Sequence, residues 1–317
     1  MIEPTEPTEP TEREVHDMGT LPTARFGRVL TAMITPFDDD GRLDLDGAQT
    51  LATHLVGHGS DGLVVNGTTG ESPTLSPQET IDLIRAVRQA VEVPVVAGTG
   101  SNDTAHAIRQ SEAAAGIGVD GLLVVAPYYN KPSQAGLDRH FRMIAAATDL
   151  PIVVYDIPGR TGRKVDSDTI ATLAAEVDTI VGLKDAAGDP AETAALADRL
   201  GDDFEIYSGD DNLTLPLLAV GACGTISVAS HWAGPEIAAM IAAVDAGDLA
   251  AARQINRRLL DSYAFETGLE APNPVPSKAM LRTLGLPAGE CRPPMGPTPA
   301  GLEDRAIEVY TALRAQD

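Results

Sequence analysis

Residues 151–184 read PIVVYDIPGRTGRKVDSDTIATLAAEVDTIVGLK, and they hold one complete repeat of this chain. PIVVY (151–155) is a continuous apolar run ending in tyrosine. A turn rich in glycine and proline follows, then an Ala- and Leu-bearing stretch of helical spacing over 167–176. A second apolar run, TIVGLK (179–184), ends in lysine. Apolar runs that do not alternate with polar residues mark strands buried on both faces, as in parallel sheets.

The unit recurs on both sides. VLTAMI (29–34), GLVVN (62–66), VPVVAG (93–98), GLLVVA (121–126), FEIYSG (204–209) and GTISV (224–228) are further runs of the same kind. Helical patterns lie between them at 46–58, 77–91, 103–115, 134–148, 189–200 and 211–219. Eight strand–helix repeats predict an α/β fold, a (β/α)8 TIM barrel. A doubly wound sheet is the alternative, but it calls for a Gly-rich phosphate loop after the first strand, and TPFDDDG (35–41) is not one. Segments 234–246, 248–266, 276–284 and 302–314 read as helix without strands. The expected organisation is therefore a disordered acidic N-terminal tail (1–24), a barrel catalytic domain (25–232) and a C-terminal helical region (233–317). The tail carries EPT three times, a composition that cannot bury a core.

The 317 residues include 46 acidic and 23 basic side chains, a net charge of −23. Such a polyanion repels nucleic acid and anionic lipid, so neither is an expected partner. No run of about 18 apolar residues occurs, so no membrane span is expected, and the acidic N-terminus lacks the apolar core of a secretory leader. These features predict a cytoplasmic location. Two cysteines, Cys223 and Cys291, make neither a disulfide framework nor metal-ligand spacing.

In a barrel the reactive groups stand at the C-terminal ends of the strands. Only four residues are lysine (131, 164, 184 and 278), and Lys184 ends the sixth strand. A buried lysine is forced toward the neutral amine, the form that attacks a ketone; pairing with Asp185 at the rim is the other reading. Tyr155 ends the fifth strand, where its phenol can relay protons to an adjacent amine or simply pack. Arg160 offers a forked donor for a carboxylate. Asn66-Gly67-Thr68-Thr69-Gly70-Glu71-Ser72 follows strand two, with two glycines around two hydroxyls. Tyr128 and Tyr129 sit in the loop after strand four, where exposed aromatics suggest a binding or subunit surface.

Six segments in this order, GTTGES (67–72), PYYNKPSQAGL (127–137), YDIPGRTG (155–162), GLKDAAG (182–188), SGDD (208–211) and GTISV (224–228), together resemble the 4-hydroxy-tetrahydrodipicolinate synthase (dihydrodipicolinate synthase) family of pyruvate class I aldolases over roughly 26–315. The resemblance implies that Lys184 forms a Schiff base with pyruvate. It implies that Tyr155, Thr68 and Tyr129 form a proton relay, with Tyr129 reaching in from a neighbouring subunit. Thr69 looks like a ligand of the pyruvate carboxylate and Arg160 like the grip on aspartate-4-semialdehyde, while Gly209 and Ile226 match pocket-lining positions. The implied activity is condensation of those substrates in lysine and diaminopimelate biosynthesis, without metal or organic cofactor, by a homotetramer built as a dimer of dimers. Asp156 departs from the asparagine of many members, next to the active site. Lysine-inhibited members hold lysine in a pocket near the GTTGES segment. Here the corresponding histidine positions read Pro77 and Thr80 and the glutamate position reads His106, with Ser72, Asn102 and Tyr128 retained; weak or absent lysine inhibition is expected. The competing functions are a pyruvate aldolase or dehydratase acting on a keto-deoxy sugar acid or N-acetylneuraminate, and a non-catalytic keto-acid sensor.

Overall fold

The computed structural model describes residues 21–315. Among the described residues there are eight strands: β1 (Val29–Ala32), β2 (Gly62–Val65), β3 (Val95–Gly98), β4 (Gly121–Val125), β5 (Ile152–Asp156), β6 (Ile180–Asp185), β7 (Glu205–Ser208) and β8 (Gly224–Ser227). Each falls on one of the eight apolar runs. They pair in sequence order, all parallel, and β1 closes on β8 with Val29 opposite Thr225. The sheet is a closed barrel and not a doubly wound sheet.

Side chains leave each strand alternately inward and outward. On β5, Ile152 and Val154 join the large apolar cluster between sheet and helices, whereas Val153 and Tyr155 join the cluster inside the barrel. Each aliphatic side chain removed from water contributes about 1.5–3 kcal/mol. A one-residue slip would turn every side chain of the strand to the opposite layer. Two-sided burial thus fixes the register, and the register fixes which strand-end residues face the barrel axis.

Several of the surrounding helices start on side-chain caps. Ser76 and Glu79 form a reciprocal capping box on Pro77–Ala90, and Asp103, Ser133, Asp189 and Asp248 cap the helices that follow them. The eighth barrel helix, Ser230–Asp245, runs across the expected boundary at 232/233. It is two helical pieces joined by a kink at the non-helical Ala233, and the second piece, with Pro235 in its first turn, begins where the helix over 234–246 was expected.

The last three helices, Leu249–Glu266, Val275–Thr283 and Leu302–Arg314, pack on the eighth around Trp232, Ile237, Met240, Leu259, Tyr263 and Val309. Of the segment expected as a tail, residues 1–20 lie outside the described residues. Leu21 donates its N–H to Asp245 Oδ1 at 2.7 Å. No helix among the described residues is long and apolar enough to cross a membrane.

A candidate active site at the barrel mouth

β6 carries Lys184 into the barrel axis at its C-terminal end. Its register partners are Tyr155 on β5 and Tyr207 on β7. Lys184 Nζ lies 4.4 Å from the centroid of the Tyr155 ring. Burial lowers the lysine's pKa to about 8, against the opposing pull of Asp210 and Asp211. The neutral amine is therefore accessible near neutral pH. Asp185, one residue on, points the other way. Its Oδ2 accepts from Thr193 Oγ1 at 2.6 Å and its Oδ1 from the Ala187 N–H at 2.9 Å. The alternative Lys184–Asp185 pair is not formed.

Burial pushes the Tyr155 phenol up to about 12, while Arg160 and a hydrogen bond with Thr68 act in the opposite sense. At neutral pH the phenol keeps its proton and stays a donor. Thr68 and Thr69 reach the same cavity from the loop after β2, and Arg160 reaches it from the short helix Pro158–Thr161 after β5. Gly209 completes the wall after β7, where its N–H donates to the Asp185 carbonyl at 2.7 Å. A Cβ at Gly209 would stand 2.8 Å from the Ala186 Cβ, so a side chain there would displace its neighbour. The cavity enclosed by these groups is about 100 Å³, the scale of a small keto acid.

Two expected residues lie elsewhere. Ile226 is buried below the cavity in the interior cluster with Tyr155, and Val228, two residues later, lines the wall instead. Tyr129 is 88% exposed and lines the open groove outside Arg160. Its backbone is left-handed, φ 75°, with its N–H donated to the Thr161 carbonyl at 3.2 Å. Within its own chain it does not join the cavity. Gly70 serves packing: an added Cβ would come within 3.2 Å of the Met33 carbonyl, and that close approach holds the loop against β1.

Asp156 is buried on the outward face of β5, where its carboxylate accepts from the Val165 N–H at 3.1 Å and meets Lys164 Nζ at 3.5 Å. Its side chain faces the helix layer and not the cavity, so it bears on the active site only through its charge on the adjacent Tyr155.

The C-terminal helical region supplies groups that sequence reasoning missed. Asn273 Nδ2 donates to Thr69 Oγ1 at 2.9 Å. Lys278, fully buried, pairs with Glu71 of the same loop at 2.6 Å, and the Arg292 N–H donates to the other Glu71 oxygen at 2.9 Å. Glu266 lines the cavity wall. None of these positions has a local motif. Asp211 also lines the wall, and its SGDD segment was visible although its role was not.

A second cavity, about 190 Å³, lies behind the loop and is lined by Ser72, Pro77, Ser101, His106, Gln110 and Tyr128 among others. No acidic side chain is in its wall. Thr80 and Asn102 are not in it either, and Thr80 is buried beside Asn66. Among the described residues no cluster of three His, Cys, Asp or Glu side chains is arranged to hold a metal ion.

Comparison with known proteins matches this arrangement. A model of the dihydrodipicolinate synthetase family matches residues 25–312. A 4-hydroxy-tetrahydrodipicolinate synthase of Moorella thermoacetica is 53% identical over 273 residues, 86% of this chain and 92% of its own length. One from Acidothermus cellulolyticus is 51% identical over 278 residues, 87% and 89% of the two chains. The crystal structure of the Cyanidioschyzon merolae enzyme with lysine bound superposes with a TM-score of 0.89 at 45% identity, over 91% of this chain and 98% of that one. The Bacillus anthracis dihydrodipicolinate synthase gives 0.87 at 42% identity, over 91% and 99%.

Proposed function

Because this chain belongs to the dihydrodipicolinate synthetase family, we propose that it is a lyase of the class I aldolase type that makes 4-hydroxy-tetrahydrodipicolinate from pyruvate and aspartate-4-semialdehyde, in lysine and diaminopimelate biosynthesis. The observation that carries the reading is a buried lysine with a lowered pKa, register-paired with a protonated tyrosine, at the C-terminal mouth of the barrel.

In this account the neutral Lys184 amine adds to the pyruvate ketone, and the carbinolamine loses water to give the imine. The imine is an electron sink, so the methyl group gives up a proton and the enamine forms. Its carbon attacks the semialdehyde aldehyde, and the new alkoxide takes a proton. The amine of the incoming substrate then attacks the imine carbon, which closes the ring and releases the Lys184 amine. Tyr155 and Thr68, which share the cavity, carry the protons. The Thr69 hydroxyl, held by Asn273, receives the pyruvate carboxylate. Arg160, exposed at the rim, grips the carboxylate of the semialdehyde.

Tyr129 fits the relay only from another subunit, since its own chain leaves it exposed. We infer an assembly of at least two chains, extended to a tetramer as a dimer of dimers, in the cytoplasm. Sedimentation velocity should show no active monomer; full activity in a monomeric fraction would remove Tyr129 from the relay.

The test of the reaction is turnover with both substrates. Product should require pyruvate and aspartate-4-semialdehyde together, and Arg160→Ala should raise the apparent KM for the semialdehyde. Turnover of a keto-deoxy sugar acid or N-acetylneuraminate without semialdehyde activity would replace this reading with the sugar-acid aldolase.

A further inference from the structure

Two carboxyl groups at the back of the cavity each leave one buried oxygen without a hydrogen-bond partner: Asp211 Oδ1 and Glu266 Oε2. The remaining oxygen of Asp211 is fully used. Its Oδ2 accepts from the Val228 and Ala229 N–H groups, both at 2.8 Å, so Asp211 is anchored as an acceptor at the start of the loop after β8. The Glu266 carboxyl, brought in by the end of helix Leu249–Glu266, lines the same cavity wall as Asp211, whose charge is the strongest electrostatic influence on it.

Ionised carboxylates only accept. Two of them buried side by side could form no bond with each other and would repel. A single proton between them satisfies both orphaned oxygens at once. We propose that Glu266 stays protonated at neutral pH and donates from Oε2–H to Asp211 Oδ1, so that the pair carries one negative charge.

Burial and the Asp211 charge push the Glu266 carboxyl well above the ordinary range, in keeping with this geometry. The other groups around the pair are Tyr263 on the same helix, Asp210 on the loop after β7, Lys184 on β6, Tyr155 and Arg160 from the β5 side, and His231 after β8, which burial keeps neutral at neutral pH. Tyr263 and Tyr155 are uncharged at neutral pH, since burial raises both phenols.

The consequence falls on Lys184. Each negative charge in the wall favours the ammonium form. One charge in place of two keeps the neutral amine closer to neutral pH. Glu266 is thus a positioning residue that acts through Lys184: it holds Asp211 in place and adds no charge of its own. This inference rests on Lys184 being the imine-forming group.

The test is the pH dependence of imine formation alone. The rate of the pyruvate-dependent, borohydride-trapped adduct at Lys184 is followed against pH in the unaltered protein, in Glu266→Gln and in the double variant Glu266→Gln/Asp211→Asn. Glutamine is neutral and can donate to the same Asp211 oxygen, so the Glu266→Gln midpoint should match that of the unaltered protein. With Asp211→Asn added, neither carboxyl of the pair is left to ionise, so the double variant's midpoint should fall. A Glu266→Gln midpoint that falls as well would mean Glu266 was ionised, and the inference would be wrong.

Should Glu266→Gln fail to fold, infrared spectra of unaltered protein carrying 13C-labelled glutamate decide the matter. An isotope-shifted carboxylic-acid band at neutral pH is expected, and its absence overturns the proposal. If no adduct forms at Lys184 at any pH, it is the aldolase reading that fails, and the infrared band still reports on the pair by itself.

Discussion

Lys184 and Tyr155 are register partners across β6 and β5, and the lysine Nζ stands 4.4 Å from the centre of the tyrosine ring. Both point inward because register partners on parallel neighbours share a face. The amine and the phenol therefore face one cavity, held by the backbone ladder of the barrel and not by a mobile loop.

Tyr155→Phe removes only a hydroxyl from a packed ring, so the fold should persist. If the phenol relays protons, turnover should drop by on the order of 10²–10⁴. The loss should appear in kcat more than in pyruvate affinity. Steady-state kinetics with a circular-dichroism control measure this; near-normal kcat would reduce Tyr155 to a packing residue.

Asp156 predicts a pH dependence of stability. Burial raises its pKa from 3.8 to about 6. A raised carboxyl favours the folded state while it is protonated, so its contribution is full below about pH 4 and is lost as pH rises through about 6. Near pH 7 the buried charge is carried at a cost. Asp156→Asn keeps an acceptor for the Val165 N–H and removes that charge. It should stabilise the protein at pH 7 by on the order of 2 kcal/mol, with the gain fading toward pH 4. The variant's kcat should barely change, since the side chain faces away from the cavity. Urea midpoints across that range test it, and a less stable variant at pH 7 would show that the contact with Lys164 outweighs the desolvation.

The barrel could be read from sequence because every strand is buried on both faces and writes that burial as an uninterrupted apolar run. Lys184 stood out for a related reason: it ends such a run in a chain with four lysines. Asp156 illustrates how far local pattern reaches. Once Tyr155 is taken as inward, strand parity sends residue 156 outward, yet adjacency in sequence suggested adjacency to the site. Asn273, Lys278 and Glu266 were invisible for a different reason. They meet Thr69, Glu71 and the wall beside Asp211 from the region beyond the barrel, across long sequence separations that no spacing rule spans.

The second cavity bears on feedback. A bound lysine would bring ammonium groups into a wall that has Ser72, His106 and Tyr128 but no carboxylate. An ammonium leaving water needs an anionic or acceptor partner, and losing one charge-assisted bond costs about 1.5–3 kcal/mol, roughly one to two decades in affinity. Lysine titrated into the steady-state assay should inhibit weakly or not at all. Half-inhibition below about 1 mM, near −4 kcal/mol of binding, would mean that a partner subunit or other groups supply what this wall lacks.

The central claim is covalent, and one measurement addresses it. The protein is incubated with pyruvate and borohydride, digested, and mapped by mass spectrometry. The account predicts a single reduced pyruvate adduct, on Lys184, absent from Lys184→Ala. An adduct on Lys131, Lys164 or Lys278 with Lys184 unmodified, or no adduct in an enzyme that turns over both substrates, would contradict it.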